Sequence, residues 1–444
     1  MAEPPEPVDE EQTEGHRVPR LSRRAGSTLR GLAIDLTPLR RSRDFRILWF
    51  GELISSVGTQ ITLVALPFQV YVLTRSPFAV GLIGLVQLVP LIVFSIAAGA
   101  IADRVDRRRL ILVTEVGSAG TTGLLLLGAL HGHPALGYVY GVAAAQSALR
   151  ALNSPARSAA VPNMVGRDLV PAAMALSQVL FNASVVVGPA IGGLLIARSL
   201  TWAYGADLVS FGTAIIGAWL LRPMPPSRAV HERPSGWQDV KEGFAYLKRR
   251  RVLQSTFLID LDAMIFGMPR ALFPVLALTV FHVGPKGLGL LYAAPGAGAV
   301  LGAITTGWVG RVRRQGLAVI WAVAAWGAAI TLFGLSGRLF WLALVFLAIA
   351  GAADVISAVF RGTILQSSVP DSLRGRLSAV HIMVVTGGPR LGDFEAGWVA
   401  SLVSPWFSVV SGGALCVLGV AVLALAVPEF VMYRSKVGAG DSEV

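Results

Sequence analysis

Long apolar runs alternate along this chain with short breaks rich in charge, Gly or Pro. Twelve such runs recur, at roughly 46–73, 79–102, 109–131, 135–157, 171–198, 200–221, 252–281, 287–310, 317–335, 338–361, 376–402 and 404–427. Most reach or exceed the ~20 residues with which a helix crosses a bilayer core. Runs this long cannot all be core strands of a soluble α/β protein, which stay at about 4–8 residues. The pattern therefore predicts an all-α polytopic membrane protein with twelve transmembrane helices, numbered here as spans 1–12.

Composition agrees. Of 444 residues, 54% are hydrophobic and 14% charged, against roughly 25% charged in soluble proteins. The net charge of +12 would point to nucleic acid or anionic lipid on a soluble surface. Its placement points elsewhere. Arg75, Arg198, Lys286 and Arg338 fall in loops expected outside, and Arg150, Arg270 and Arg390 fall within spans. The other 31 of the 38 Lys and Arg lie in tails and in loops expected inside. That asymmetry predicts two cytosolic termini in a cell membrane and no nucleic-acid partner.

Residues 1–43 run acidic and then basic, followed by a segment of full span length, so no cleavable signal is expected and the tail is expected to be disordered. Its basic part could also touch lipid headgroups. Cys416 is the single cysteine, so no intrachain disulfide can form.

The tightest polar break is Gly99-Ala-Ile-Ala-Asp103-Arg104-Val-Asp106-Arg107-Arg108-Arg109, between spans 2 and 3. Asp103 is expected to accept hydrogen bonds at the N-terminus of a neighbouring helix, where the dipole favours an anion. Arg104, Arg107, Arg108 and Arg109 are expected to hold the loop in the cytosol.

The longest break, Arg222 to Arg251, starts Pro-rich. It continues with Trp237, Val240, Phe244 and Leu247 at helical spacing. It predicts a linker, 223–250, with an amphipathic helix, between six-span halves at 44–222 and 251–429, leaving a tail at 430–444. The halves carry a weak repeat. Asp103-Arg104-Val105 and Val161-Pro162 each precede a similar landmark, Arg311-Val312-Arg313 and Val369-Pro370, by 208 residues, and Pro67 precedes Pro274 by 207.

The order Gly99-x-x-x-Asp103-Arg104-x-x-Arg107-Arg108 resembles the signature loop of the major facilitator superfamily, with Asp106 standing where that family usually has Gly. Arg43-Asp44-Phe45-Arg46-Ile-Leu-Trp49, Gly289-Leu-Leu-Tyr292-Ala-Ala and Leu365-Gln366-Ser-Ser-Val-Pro370-Asp-Ser-Leu-Arg374-Gly375-Arg376 resemble one of its subgroups. That subgroup contains bacterial enterobactin exporters and macrolide-efflux proteins. The resemblance covers nearly all of residues 40–430. It implies two pseudo-symmetric six-helix bundles, a membrane exporter working by alternating access, and a central cavity lined by spans 1, 4, 7 and 10.

Gly188-Pro189-Ala-Ile-Gly192-Gly193 in span 5 is similar to the superfamily motif associated with antiporters, with Ser184 in place of an upstream Gly. Pro bends a helix and Gly lets a neighbour approach. Ionisable groups inside spans are expensive in lipid and are functional candidates. A proton-coupled exporter needs a carboxyl that can load and release a proton. Glu52, Asp260, Asp262 and Asp354 are the candidates, because the resemblance places their spans at the cavity.

Gln60, Gln146, Arg150, Asn182, Arg270, Arg390 and Asp393 are the candidates for the substrate cavity. Arg390 and Asp393, three apart, share a helix face and fit an internal ion pair equally well. Arg150 does not match the superfamily's Arg-x-x-x-Gly motif, so that motif's role is not carried over. Asp207 is expected to pack or hydrogen-bond, and Glu115 to meet the basic loop.

No phosphate-binding loop of Gly-x-x-x-x-Gly-Lys-Ser/Thr type occurs, and the six His show no metal-ligand spacing. No enzyme activity, cofactor or metal is expected. The expected function is a monomeric secondary exporter, with proton antiport, of an amphipathic small molecule such as a siderophore or antibiotic. A broad multidrug pump and a non-transporting sensor or scaffold on the same fold are the alternatives.

Overall fold

A computed structural model describes residues 35–225, 237–248 and 250–434. The expected disorder of residues 1–34, the start of the linker and the last ten residues lie outside the described residues, as do some side chains, Asp103 among them.

The spans are helices Arg43–Thr74, Pro77–Arg104, Arg107–Leu130, Leu136–Val165, Val170–Ile196 and Leu200–Leu220 in the first half. The second half has a broken span 7 (Arg251–Phe266 and Phe273–Thr279), then Gly284–Thr305, Gln315–Leu335, Phe340–Ser368, Asp371–Leu402 and Pro405–Ala426. Trp237–Leu247 is a helix of the linker. Among the described residues, ten helices are long and apolar enough to cross a membrane. Spans 4 and 11 are not among them, and these two carry Arg150 and Arg157, and Arg390, Asp393 and Glu395. Their polar side chains serve the interior of the bundle.

Local chemistry sets the starts. Ser42, Ser76, Ser199 and Ser404 each stand just before a span and accept a backbone N–H three residues on, at 3.1, 3.3, 3.3 and 3.1 Å. Such caps satisfy donors that the first helical turn leaves free. At the far end, Pro428–Val431 forms one turn, Phe430 is fully buried, and the Tyr433 hydroxyl lies 3.0 and 2.9 Å from the Ser367 and Ser368 hydroxyls.

Two expected boundaries are wrong, with consequences for the site. Span 4 was expected to stop at 157 and span 10 at 361. They continue to Val165 and Ser368. Span 4 runs on through Pro155 and Pro162, since a bundle held by its neighbours tolerates the lost backbone bonds. Arg157 and Arg361, the last residues of the expected spans and counted above with the inner loops, therefore lie inside the helices.

The first three helices of the two halves start at nearly constant separation: Arg43 and Arg251 are 208 residues apart, Pro77 and Gly284 207, Arg107 and Gln315 208. The halves meet along two glycine seams. A Cβ on Gly81 of span 2 would come within 2.6 Å of the Asp393 carbonyl and 2.9 Å of the Gly397 Cα in span 11. A Cβ on Gly193 of span 5 would come within 2.8 Å of the Gly289 Cα in span 8. All four glycines lie toward the end of the bundle opposite the linker. Only glycine allows backbones this close.

Candidate functional site

Each half holds one arginine shared by two carboxylates. In the first, Arg157 of span 4 lies 3.0 Å from Glu52 of span 1 and 2.5 Å from Glu115 of span 3. Asn153, one turn back, donates to Glu115 at 2.7 Å and accepts from Arg157 at 2.7 Å. Glu52 is 28% exposed and Glu115 only 3%. Glu115 was expected to meet the basic loop; its proximity to Arg157 deep in the bundle corrects that.

In the second half, Arg361 of span 10 pairs with Asp260 of span 7 and lies 3.7 Å from Asp354, two turns back on its own helix. Asp260 is 2% exposed and Asp354 29%. Each group thus combines one sealed carboxylate and one reachable carboxylate on a single guanidinium.

Asp260 and Asp262 do not act together. Two positions on a helix are about 200° apart, so they face opposite ways. Asp262 points at Gly419 of span 12, where an added Cβ would lie 2.7 Å from its carboxyl carbon. Its Oδ2 is buried without a hydrogen bond.

Asp207 of span 6 is fully buried. Its Oδ2 accepts from the Thr62 hydroxyl at 2.5 Å and from Thr122 at 3.1 Å, with Ser210 3.4 Å from Oδ1. Gln146 donates to Thr122 at 3.4 Å and belongs to this web. Asn182 accepts from Gln178 of its own helix at 3.2 Å. Gln60 lies against Gly188, where an added Cβ would overlap its Cβ.

Gly188 and Gly192 press span 5 onto span 1 at Val57–Ile61, and Gly193 presses it onto span 8. The Gly-Pro-x-x-Gly-Gly segment is thus a packing hub with one face toward each half.

A third cluster lies at the break in span 7. Ala271 donates its N–H to Asp393 at 3.2 Å, Tyr292 donates to the Arg270 carbonyl at 3.1 Å, and Trp326 donates to the Gly267 carbonyl at 2.8 Å. These partners satisfy backbone groups freed by the break. Arg390 and Asp393 are 4.0 Å apart. Arg150 lies within electrostatic range of both Arg390 and Asp207.

At the loop between spans 2 and 3, Asp106 caps span 3 by accepting the Arg109 N–H at 3.1 Å. Its other oxygen accepts the Met224 N–H, beyond span 6, at 3.0 Å. Arg107 donates to the Ala159 carbonyl at 3.1 Å, and Arg108 to the Ala218 and Trp219 carbonyls at 3.2 and 2.5 Å. Arg107 and Arg108 therefore tie the loop to the ends of spans 4 and 6. Gly99 has open space where a Cβ would stand. Arg104 is the last residue of span 2.

Sequence reasoning missed Arg157 and Arg361. Their spacing held the signal: Asn153 and Arg157 are four apart, Asp354 and Arg361 seven apart, and both spacings place side chains on one helix face.

A family model described as "Transmembrane secretion effector" matches residues 33–439. The chain is 28% identical over 417 residues to the enterobactin exporter EntS of Shigella boydii, covering 92% of this chain and 98% of that one. It is 28% identical to EntS of Citrobacter koseri, covering 88% and 94%. Among solved structures, a POT family transporter in complex with 5-aminolevulinic acid superposes with a TM-score of 0.72 at 12% identity, covering 88% of this chain and 97% of that one. A bacterial homologue of the iron transporter ferroportin superposes with a TM-score of 0.66 at 14% identity, covering 88% and 98%. These likenesses show the major facilitator fold.

Proposed function

The chain belongs to the family of transmembrane secretion effectors, and on that premise we propose that this multi-pass transporter exports an amphipathic small molecule in exchange for protons. The residues 44–222 and 251–429 form the two bodies that rock about the substrate, with both termini and the basic loops in the cytosol. The glycine seams Gly81–Gly397 and Gly193–Gly289 support this reading, since they bring the bodies into their tight contact toward the end opposite the linker. In alternating access that contact opens and closes.

The observation that carries proton exchange is the pair of shared arginines. One guanidinium with two carboxylates has a net charge of −1, and one added proton makes it neutral. Glu52 and Asp354, the more exposed acids of their groups, are the entry points for that proton. The sealed partners Glu115 and Asp260 keep the arginine paired while the exposed acid is protonated. A buried charge left unpaired would be costly, so two acids per arginine allow a proton to come and go without that penalty.

The export reading is tested by comparing metabolites in culture supernatants of a deletion strain, the parent, and the deletion strain carrying the gene. A compound absent only from the first supports it. Identical supernatants count against it. Siderophore export is the specific form suggested by the EntS relatives.

A further inference from the structure

We propose that Arg150, Arg270 and Arg390 together form a binding site for an organic anion at the seam between the halves. This deepens the export reading by naming the charge class of its substrate, and it rests on that reading for the claim that the bound anion is cargo.

The three guanidinium groups come from three elements: span 4, the break in span 7, and span 11. Arg150 lies near the middle of its thirty-residue helix. Arg270 and Arg390 each lie 19 residues beyond the start of their spans, Arg251 and Asp371. Span 2 places them at the seam, because a Cβ on Gly84 would press on the Arg390 carbonyl and the Asp393 Cβ. Span 2 brings Arg150 to the same level, since Ser147, three residues before it, donates to the Gln87 carbonyl at 2.8 Å, and an added Cβ on Gly387, three residues before Arg390, would lie 3.3 Å from Leu88. Arg150 and Arg390 are within electrostatic range of each other, and so are Arg270 and Arg390. All three residues are half-buried.

Three like charges held together at mid-span need counter-charge. The nearby carboxylates supply little of it. Asp393 gives one oxygen to the Ala271 N–H and stands 4.0 Å from Arg390. Asp207 is engaged by Thr62, Thr122 and Ser210. Asp354 and Asp260 are engaged by Arg361. Among the described residues, the guanidinium groups of Arg150 and Arg270 make no hydrogen bond or ion pair. Neither guanidinium has a nitrogen sealed away from its surroundings, so a carboxylate, sulfonate or phosphate oxygen can reach it and pair in the planar, two-pronged way guanidinium favours.

A cationic amphipath would meet three arginines against Asp393, already held by the Ala271 N–H, and Asp354, already shared with Arg361. The site therefore discriminates by charge sign.

The test is direct binding to the purified full chain in detergent, using 2-naphthalenesulfonate and its trimethylammonium counterpart as matched probes. The wild type is expected to bind the sulfonate at least about tenfold more tightly than the cation. Arg150→Gln, Arg270→Gln and Arg390→Gln are each expected to weaken the sulfonate by about tenfold, the contribution of one charge-assisted hydrogen bond. Arg150→Lys keeps the charge and is expected to recover part of that loss. A Gln variant that fails to fold is replaced by the corresponding Lys variant, whose loss of two-pronged geometry is expected to weaken binding to a smaller degree. Equal binding of both probes, binding of neither, or sulfonate affinity unchanged across the variants overturns the site. Anion binding intact in a protein that moves nothing across vesicles would overturn export while leaving the site standing.

Discussion

Glu52 and Asp260 are 208 residues apart, and each lies nine positions into its span and pairs with an arginine three spans further along, Arg157 or Arg361. The pairing is conserved between halves while the partner position is not. Residue 361 aligns at that separation with Asn153, one turn before Arg157, and Asn153 hydrogen-bonds both Arg157 and Glu115. The third member also differs: Glu115 comes from span 3, Asp354 from span 10. The same charge balance is reached with different parts.

The two pairs are expected to respond differently to loss of one member. Arg361 and Asp260 are both below 5% exposed, so Arg361→Leu strands a buried carboxylate and is expected to cost about 3–5 kcal/mol. Glu52 is partly exposed and leaves Glu115 on the arginine. Glu52→Gln is expected to cost about 1 kcal/mol or less. Thermal unfolding in detergent, followed by the intrinsic fluorescence of the ten tryptophans, separates the two. Equal losses would contradict the difference in burial.

Proton coupling is tested in liposomes with an internal pH-sensitive dye. At least one of Glu52→Gln, Asp260→Asn, Asp262→Asn and Asp354→Asn is expected to abolish substrate-driven proton movement. Downhill exchange of substrate is expected to survive in that variant, because the conformational change needs no net proton transfer. If all four variants move protons like the wild type, the coupling acid lies elsewhere, and Asp393 and Glu395 are the next to replace.

Gly289→Val places a side chain where an added Cβ already meets the Pro189 carbonyl at 2.5 Å and the Gly193 Cα at 2.9 Å. Backbone cannot step aside, so the halves must part. Overpacking of this kind typically costs 1–3 kcal/mol, and the conformation closed at this seam is expected to become about tenfold rarer or more. Membrane insertion should be normal and transport strongly reduced. Normal transport by a well-expressed variant would show that the seam need not close.

Asp106→Ala removes both the cap on span 3 and the acceptor for the Met224 N–H. The expected cost is about 1–2 kcal/mol in thermal unfolding, with Asp106→Asn retaining most of the cap. Asp103→Asn is expected to insert normally and transport more slowly, since an anion near a helix end helps to hold one conformation. Efflux at the wild-type rate in Asp103→Asn would remove Asp103 from the switching device.

Much of the fold was legible because a bilayer simplifies the code. Apolar runs of span length have one low-energy outcome, a helix with its backbone satisfied internally. The twelve spans, the two-half repeat and the Gly-Pro-x-x-Gly-Gly hub of span 5 could be read that way. Tertiary structure decided the rest. Span 4 crosses two prolines that in isolation would end a helix, so packing alone carried Arg157 inside the bundle. Asp260 and Asp262 looked alike as neighbours in sequence, yet helical rotation sends one to Arg361 and the other to Gly419 of span 12. Asp106, an apparent departure from a motif, became a cap only because Met224 folds back onto it. Sequence fixes which residues a helix carries, and its period limits which of them share a face. Which partner that face meets is chosen by helices brought together from distant parts of the chain, and the charge of a buried site is the sum over those partners.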